Sequence, residues 1–369
     1  KITLIDDTSV NDASDGNFGI KGTVTLTAPN GGETWVVGES RTITWTRTGA
    51  IANVKLEYST DGGATYPNLL TASTPAAAGS YAWTVPDTIG TALRVRVTDA
   101  GDATVFDGSN ANFTIKGSLT LTAPIGGETW TVGSAQNITW TKTGTLADVK
   151  LEYSTDGGAT YPNLITASTP AAAGSYAWTI PDAISATVKV RITSNSDATV
   201  THSSPGNFKI QGSLTLTAPN GGETWVVGQS QNITWTRTGS IADVKLEYST
   251  DGGATYPNVI TASTPAASGS YAWTIPDAIG TGLRVRISDA SDATVSDTSN
   301  ANFTIKGSLT LTAPNGGEAW VVGSSRNITW TKGGTFATVK LEYSTDNFVT
   351  ASVITASTDA ALGSYAWTI

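Results

Sequence analysis

Apolar and polar residues alternate along short runs that are bounded by Gly, Pro, Asn and Asp. A period of two residues is typical of β-strands with one buried face. No stretch has the period of an amphipathic helix, so the sequence predicts an all-β chain. Between residues 22 and 116 the pattern predicts eight strands, at residues 23–27, 34–37, 42–46, 54–59, 69–73, 80–85, 93–97 and 112–115.

The same pattern returns along the chain without change of spacing. The stretch VTLTAPNGGETWVVG at residues 24–38 recurs, with few changes, from residues 119, 214 and 309. The equivalent units open with glycines 95 residues apart, at residues 22, 117, 212 and 307. About eight short strands in a unit of this size predict an antiparallel β-sandwich of the immunoglobulin or fibronectin type III kind. We therefore expect a tandem array of small domains.

The spacing predicts three complete repeats and two partial ones. We expect residues 1–21 to be the C-terminal part of a preceding repeat and residues 307–369 the N-terminal part of a further one. The complete repeats are expected at residues 22–116, 117–211 and 212–306. Only Lys116, Gly117 and Ser118 separate the last strand of the first repeat from the next strand. This is too short for a flexible tether, so we expect a semi-rigid rod of about 35–45 Å per repeat.

The partial repeats allow two interpretations. Either the sequence is a window on a longer polypeptide, or the first strands of one molecule complete the last repeat of another. The two segments together lack the stretch equivalent to residues 276–285. A subunit that donates strands would retain that stretch, so the longer polypeptide is the favoured interpretation.

Composition narrows the possible partners and the compartment. The net charge of −9 and a pI near 4.6 argue against binding to nucleic acid or to anionic membranes. The chain has no cysteine and no methionine, a composition that resists oxidation outside the cell. No apolar run is long enough to span a membrane. That the protein is exported is therefore inferred from its composition alone.

Three tryptophans recur in each repeat and could be either sugar-binding platforms or core residues. Trp45 shares a strand face with Ile43, and Trp83 shares one with Tyr81 and Val85. The opposite faces of these strands carry Thr and Ala. The phase therefore predicts that the rings fill the sandwich.

The stretch from Ser59 to Tyr66 resembles the Asp-box of sialidases, which is a hairpin turn and not an active site. Asp61 is expected to accept hydrogen bonds from turn amides, and the glycine pair allows positive φ. The last repeat is expected to abandon the motif, since it reads STDNFVT from Ser344. The aromatic residue that ends the motif is the exposed candidate for stacking on a glycan, although an ordinary surface aromatic is favoured. These candidates are Tyr66, Tyr161 and Tyr256.

Acidic residues near the end of each repeat raise the question of calcium, which prefers oxygen ligands. The first set is Asp99, Asp102 and Asp107, and the third repeat has Asp289, Asp292 and Asp297. In the second repeat the same positions are Ser194, Asp197 and His202. Two of three possible ligands are lost there, so turn capping is favoured and no metal site is assigned.

No residue is assigned to catalysis or to cofactor binding. His202 is the single histidine, and the sister repeats have Asp at its position. Glu33 and Glu57 could be imagined as a glycosidase pair, but the phase of the strand predicts that Glu57 lies on a solvated face beside Lys55. An isopeptide crosslink between Lys55 and Asn112 is disfavoured, because that chemistry needs a buried lysine. The chain is expected not to be an enzyme.

The order of landmarks resembles an immunoglobulin-like domain of the Ser-Thr-rich, GPI-anchored class that is related to yeast cell-wall glucan assembly proteins. Such domains also occur in large bacterial exported repeat proteins. The resemblance implies an extracellular β-sandwich with a structural or adhesive role, and it brings no catalytic residues. The matching positions are Pro29, Gly32, Trp35, Gly38, Ile43, Trp45, Leu56, Gly79, Trp83, Val85, Pro86, Arg94, Val95 and Phe113-Thr-Ile115.

Two functional hypotheses follow. The first is a non-enzymatic structural or adhesive protein that forms a rod or fibre of the cell surface or extracellular matrix, and that associates with itself or with neighbouring repeats in a filament. The alternative is a carbohydrate-binding accessory array of a secreted hydrolase, with glycans as partners. Thr and Ser hydroxyls line the outward strand faces, and there are five Asn-x-Thr sequons, so we expect the native protein to be glycosylated, with Thr and Ser favoured as the sites if the source is bacterial. The sequons begin at Asn112, Asn137, Asn232, Asn302 and Asn327.

Overall fold

The structure is a computed structural model that describes all 369 residues. The chain is built from strands, and its helices are four single 3-10 turns at Ala76–Ala78, Ala171–Ala173, Ala266–Ser268 and Ala360–Leu362. None of these turns is long or apolar enough to cross a bilayer. The all-β class predicted from the alternation is therefore confirmed.

The strands recur at equivalent places along the chain. In residues 1–116 they are β1 (Ile2–Thr3), β2 (Asn11–Asp12), β3 (Thr23–Ala28), β4 (Thr34–Val36), β5 (Ser40–Thr48), β6 (Asn53–Ser59), β7 (Asn68–Pro75), β8 (Ser80–Thr84), β9 (Gly90–Asp99), β10 (Phe106–Gly108) and β11 (Phe113–Lys116). In residues 117–211 they are β12 (Ser118–Ala123), β13 (Thr129–Thr131), β14 (Ala135–Thr143), β15 (Asp148–Ser154), β16 (Asn163–Pro170), β17 (Ser175–Thr179), β18 (Ser185–Ser194), β19 (Thr201–Ser203) and β20 (Phe208–Gln211).

The remaining strands complete the third repeat and the final segment. Those of the third repeat are β21 (Ser213–Ala218), β22 (Thr224–Val226), β23 (Ser230–Thr238), β24 (Asp243–Ser249), β25 (Asn258–Pro265), β26 (Ser270–Thr274), β27 (Gly280–Asp289), β28 (Ser296–Thr298) and β29 (Phe303–Lys306). Those of the final segment are β30 (Ser308–Ala313), β31 (Ser325–Gly333), β32 (Thr338–Tyr343), β33 (Ser352–Asp359) and β34 (Ser364–Thr368).

Each repeat contains a small sheet and a large sheet. In the first repeat the small sheet has the order β3-β5-β8, and the large sheet has the order β4-β11-β9-β6-β7 with β10 paired to β9. The third repeat has the same two sheets, β21-β23-β26 and β22-β29-β27-β24-β25 with β28. This arrangement confirms tandem sandwiches of the immunoglobulin and fibronectin type III class.

Two details of the sheets differ from the prediction. The pairing between β4 and β11 is parallel, with Trp35 opposite Ile115, so the sandwich is not wholly antiparallel. A ninth strand, β10, was missed. This strand has only three residues, and they do not alternate between apolar and polar side chains. The pattern used to predict strands therefore gave no indication of it.

The core of the first repeat lies between its two sheets. Ile43 and Trp45 come from the small sheet and Leu56 and Val95 from the large one, and each is at most 2% exposed. Trp45 also donates a hydrogen bond from Nε1 to the carbonyl of Ala76, at 3.0 Å. The tryptophans therefore pack inside the sandwich, as their phase predicted.

The chain divides into two compact units. One contains residues 1–128, 137–178 and 187–208, and the other contains residues 129–136, 179–186 and 209–369. The division passes through the second repeat and does not follow the 95-residue period. The predicted domain limits therefore stay a prediction.

The leading and final segments are less buried than the complete repeats. β1 pairs with β2, and Phe18 and Ile20 are 77% and 91% exposed. In the final segment Leu309 is 54% exposed, whereas the equivalent Leu214 of the third repeat is 7% exposed. The difference arises because Leu214 lies under a complete second sheet.

Candidate functional site

Neighbouring repeats are joined by a carboxylate that lies in the loop between β8 and β9. Asp87 accepts two hydrogen bonds from Thr145 of the second repeat, from the backbone N–H at 2.9 Å and from Oγ1 at 2.5 Å. Thr145 directly follows Gly144, at the end of β14. A charged acceptor that takes two donors from one residue fixes distance and orientation together. We call this contact the junction latch.

The junction latch recurs at the next two junctions. Asp182 accepts from the N–H of Ser240 at 2.8 Å and from its hydroxyl. Asp277 accepts from the N–H of Thr335 at 2.9 Å and from its hydroxyl. In each case two hydrogen bonds hold the pKa of the aspartate below its ordinary value. The larger contribution comes from the Thr or Ser hydroxyl and the smaller one from the backbone N–H of the same residue.

An apolar contact accompanies each latch. Gly144 has a positive φ of 73°, and a Cβ at this position would lie 3.0 Å from Cδ1 of Ile89 and 3.1 Å from Cγ2 of Val37. Glycine is required here for its backbone conformation and for the close approach of the neighbouring repeat. The equivalent glycines are enclosed in the same way, Gly239 by Val132 and Ile184, and Gly334 by Val227 and Ile279.

A second polar contact differs between junctions. Lys21 lies 2.8 Å from Asp102 of the following repeat and donates to Oγ1 of Thr104. Lys209 forms the equivalent ion pair with Asp292 and donates to Thr294 at 3.0 Å. The two lysines occupy different positions in the repeat. Lys209 is equivalent to Thr114 within β11, whereas Lys21 is equivalent to Lys116, the last residue of β11.

The first junction lacks this ion pair. Lys116, which is equivalent to Lys21, lines a cleft together with Asp197 and Thr199 of the second repeat but makes no ion pair with Asp197. Thr114 lies on the same cleft, at the position that Lys209 occupies in the next junction. The junctions therefore share the latch and differ in the additional charge pair.

The acidic residues near the end of each repeat serve separate purposes. Asp102 accepts from the N–H and hydroxyl of Thr104, at 3.0 and 2.6 Å, which is turn capping. Asp99 accepts from the N–H of Gly101 at 2.9 Å. Asp107 accepts from the N–H of Leu26 at 2.8 Å. No group of three or more His, Cys, Asp or Glu side chains is arranged to hold a metal ion.

His202 has the same structural task as the aspartates that replace it. Its Nδ1 accepts from the N–H of Leu121 at 3.1 Å, and Asp297 accepts from the N–H of Leu216 at 2.7 Å. The position needs an acceptor for the first strand, and either side chain supplies one.

Glu33 is also occupied by backbone donors. Its two carboxylate oxygens accept from the N–H groups of Asn30 and Gly31, at 2.7 and 2.8 Å. The side chain therefore caps the turn between β3 and β4, which is a structural task.

The prediction that Glu57 lies on a solvated face is wrong. Glu57 is 8% exposed and forms ion pairs with Lys55 at 2.6 Å and with Arg96 at 2.9 Å. Arg96 lies opposite Glu57 in the register of β6 and β9, and its side chain covers the carboxylate. Burial raises the pKa of Glu57, but the hydrogen bonds and charges of Lys55 and Arg96 outweigh it and hold the pKa below its ordinary value.

Tyr66 is not the exposed platform that the sequence suggested. The ring is half-buried, and the guanidinium of Arg96 lies 4.4 Å from its centroid. Burial raises the pKa of the Tyr66 hydroxyl. Arg191 covers Tyr161 and Arg286 covers Tyr256 in the same way, at 4.3 and 4.6 Å.

The two side chains considered for an isopeptide bond are engaged elsewhere. Lys55 is bound to Glu57, whereas Oδ1 of Asn112 accepts from Nε of Arg94 at 2.8 Å. The structure does not bring the two side chains together as a reacting pair.

The Asp-box is a turn, as predicted, and the final segment retains it. Asp61 accepts from the hydroxyl of Ser59 at 2.6 Å and from the N–H and hydroxyl of Thr65 at 2.9 and 2.6 Å. Asp346 makes the same three bonds with Ser344 and Thr350. The expectation that this segment abandons the motif is wrong, because Asn347 and Phe348 adopt the positive φ that glycines supply elsewhere.

The junction latch was missed by sequence reasoning. Its two partners are 58 residues apart and lie in different repeats. The signal that could have found it is positional. A Pro-Asp pair follows β8, β17 and β26, and a Gly followed by Thr or Ser comes shortly after β14, β23 and β31. The first repeat has Gly49-Ala50 at the second of these positions.

Comparisons with known proteins support no assignment finer than the fold. No family model and no curated protein matches the chain, so the resemblance to the Ser-Thr-rich, GPI-anchored class is not shown. Among solved structures, the fibronectin(III)-like modules of Clostridium thermocellum CbhA are 23% identical over 51% of this chain and 94% of that chain, with a TM-score of 0.20.

Two further structures contain immunoglobulin domains. The N-terminal four Ig domains of Dscam1 isoform 9.44 are 10% identical over 77% of this chain and 72% of that chain, with a TM-score of 0.30. Sidekick-1 immunoglobulin domains 1–5 are 12% identical over 79% and 60%, with a TM-score of 0.26. Scores this low carry no argument about function, and the fold assignment rests on the strand pairings described above.

Proposed function

We propose that the chain is a non-enzymatic structural or adhesive repeat protein of the cell surface or extracellular matrix, in which docked repeats form a rod or fibre. The observation that carries the proposal is the junction latch. The same carboxylate, the same glycine and the same two apolar side chains meet at three successive junctions.

Repeated docking contacts favour a mechanical role over independent binding modules. Modules that act separately need only a flexible linker. Here a single residue, Gly117, separates β11 from β12, and the latch adds a side-chain contact between the two repeats. Neither feature is needed by independent modules. A protein whose product is length needs each repeat fixed to the next. The recurrence of the latch at three successive junctions agrees with this requirement.

The chemistry of the surface also favours a structural role. The carboxylates that could be imagined in catalysis are occupied, Glu57 by two cations and Glu33 by two turn amides. His202 is held by the N–H of Leu121. The absence of oxidisable Cys and Met agrees with an extracellular location.

The alternative, a carbohydrate-binding array, has lost its main support. It depended on Tyr66 and its equivalents as exposed platforms, and an arginine covers each of these rings. A sugar would have to displace that cation from the ring before it could stack.

The proposal is tested on native material. Immunogold electron microscopy with antibodies against the repeats is expected to label extended fibres outside the cell. Labelling of lysines on intact cells with a membrane-impermeant reagent checks the location separately. Compact, unassembled particles, or protein that is labelled only after lysis, would contradict the proposal. Specific binding to a glycan array that is lost in Tyr66→Ala would favour the alternative.

A further inference from the structure

We infer that Asn137, Asn232 and Asn327 carry N-linked oligosaccharides, whereas the sequons at Asn112 and Asn302 stay unmodified. The inference rests on the extracellular location proposed above, because it requires contact with a transferase of the export route. It concerns the outward face of the small sheets.

The three amides occupy the same place in successive repeats. Asn137 lies in β14, Asn232 in β23 and Asn327 in β31, which are the central strands of their small sheets. Each is exposed, and none makes a side-chain hydrogen bond to the protein. The residue opposite Asn232 is Ala272 and the one opposite Asn327 is Ala366. A methyl group as the cross-strand neighbour leaves room for a sugar on the amide nitrogen.

The threonines of these sequons are less available than the asparagines. Oγ1 of Thr139 is 2.7 Å from Oγ1 of Thr122, and the Thr234–Thr217 and Thr329–Thr312 pairs have the same separation. Each hydroxyl is therefore bound to a neighbour, while the amide two residues earlier is free. The geometry favours attachment to nitrogen at this position.

The other two sequons are held in place by the protein. Oδ1 of Asn112 accepts from Nε of Arg94, and Oδ1 of Asn302 accepts from Nε of Arg284, both at 2.8 Å. The amide nitrogen of Asn112 lies beside the Ser59–Tyr66 turn, 3.9 Å from the position of a Cβ on Gly62. Asn112 and Asn302 are exposed like the other three asparagines, so it is the hydrogen bond to the arginine and the adjacent turn that disfavour a sugar here.

The modification also suits the surface that bears it. In the third repeat the outward residues of the small sheet are Thr, Ser, Asn and Ala, without a charged side chain. Exposed sheets usually carry charges that oppose association with other sheets. An oligosaccharide at the centre of this face would supply hydration and bulk in their place.

The reaction is a simple transfer. Nδ2 of the asparagine forms a bond to C1 of a sugar carried by a polyprenyl phosphate or diphosphate donor. The bond between C1 and the phosphate oxygen breaks, the polyprenyl phosphate or diphosphate leaves, and the amide loses one proton to a base of the transferase. No oxidant or reductant is required.

The experiment is proteolysis of the native protein, followed by mass spectrometry with electron-transfer fragmentation, which identifies the modified residue. We expect oligosaccharide on Asn137, Asn232 and Asn327, and unmodified amides at Asn112 and Asn302. The first repeat supplies an internal control, because Thr42 replaces the asparagine and also faces an alanine, Ala82. Sugar on Thr only, unmodified amides at all three predicted sites, or sugar on Asn112 or Asn302 would overturn the inference.

Two variants expressed in the native source separate the sequon from the fold. Thr234→Ser keeps the sequon and is expected to retain the modification of Asn232, whereas Thr234→Ala is expected to lose it. Labelling of intact cells distinguishes the two possible failures. Surface-labelled protein with unmodified amides would refute only this inference, whereas protein that is not labelled on intact cells would refute the proposed location.

Discussion

The first and second junctions share one contact and differ in another. At both, an aspartate accepts two hydrogen bonds from the next repeat, Asp87 from Thr145 and Asp182 from Ser240. Only the second of these two junctions adds an ion pair, with Lys209 bound to Asp292. The common contact lies at the same place in both junctions, and we expect the additional ion pair to make the second junction the more stable of the two.

The largest loss of stability is expected from a change in the core of the first repeat, because the fold of this repeat and its junction with the second repeat both depend on that core. Trp45→Ala removes a side chain that is 2% exposed and should cost about 3–5 kcal/mol in the free energy of unfolding. The first junction should be lost with the repeat, while the second persists. Hydrogen exchange of the full chain should show early opening confined to residues 22–116.

A milder variant provides the control for the core. Trp45→Phe keeps an aromatic ring but loses the hydrogen bond to Ala76, and should cost about 1–3 kcal/mol. If all repeats of Trp45→Ala exchanged early and together, the second junction would be lost along with the first, which would contradict the expectation that only the first repeat opens.

The next largest effect should come from Gly144→Ala at the first junction. The new methyl group would meet Ile89 and Val37, and the residue would keep a positive φ of 73°. Backbone strain and crowding should together cost about 1–3 kcal/mol of docking. Limited proteolysis should then cut near residues 116–118 faster than in the parent chain, while the second junction stays unchanged.

Gly127→Ala is the matched control for this variant. Gly127 also has a positive φ, of 88°, but no atom lies within 4 Å of its added Cβ. It should therefore show the strain without the faster cleavage. Equal cleavage in both variants would mean that the junction does not depend on the contact at Gly144.

A smaller effect is expected from exchanging the charge pair between junctions. Lys209→Gln should weaken the second junction by about 0.5 kcal/mol, since its partners are partly exposed. Thr114→Lys should strengthen the first by a similar amount, because Thr114 lines the cleft that contains Asp197. Both changes should disappear at about 0.5 M salt, where such pairs are screened. Proteolysis rates at the two junctions measure them.

Acid should weaken all junctions slightly and in the same direction. The pKa of Asp87 is lowered from 3.8 by its bonds to Thr145, so the docked form stabilises the carboxylate. This stabilisation is fully present above pH 3.8 and is lost as the pH falls through the lowered pKa. Asp87→Asn should remove the pH dependence at the first junction only, which proteolysis rates at each junction across this pH range would show. A junction that tightens below pH 3.8 would contradict this assignment.

The sequence predicted the fold well, because alternation and tryptophan phase report directly on burial. The prediction failed where a side chain from another part of the fold changes the burial or the contacts of a residue. Glu57 lies on the outward face of β6, as its phase indicated, but Arg96 of β9 covers it while also lying over the ring of Tyr66. The junction latch depends on two residues of different repeats, and a pattern within one repeat contains no information about their meeting.

Docking of neighbouring repeats by the latch is tested most directly by a distance measurement across the first junction. The chain has no cysteine, so Ala64→Cys and Ala159→Cys, both at exposed positions, can be spin-labelled as a unique pair. Pulsed electron paramagnetic resonance should give one narrow distance distribution in the parent chain and a broad one when Asp87→Ala is added. A parent distribution as broad as that of the Asp87→Ala variant would contradict the claim that the latch docks neighbouring repeats.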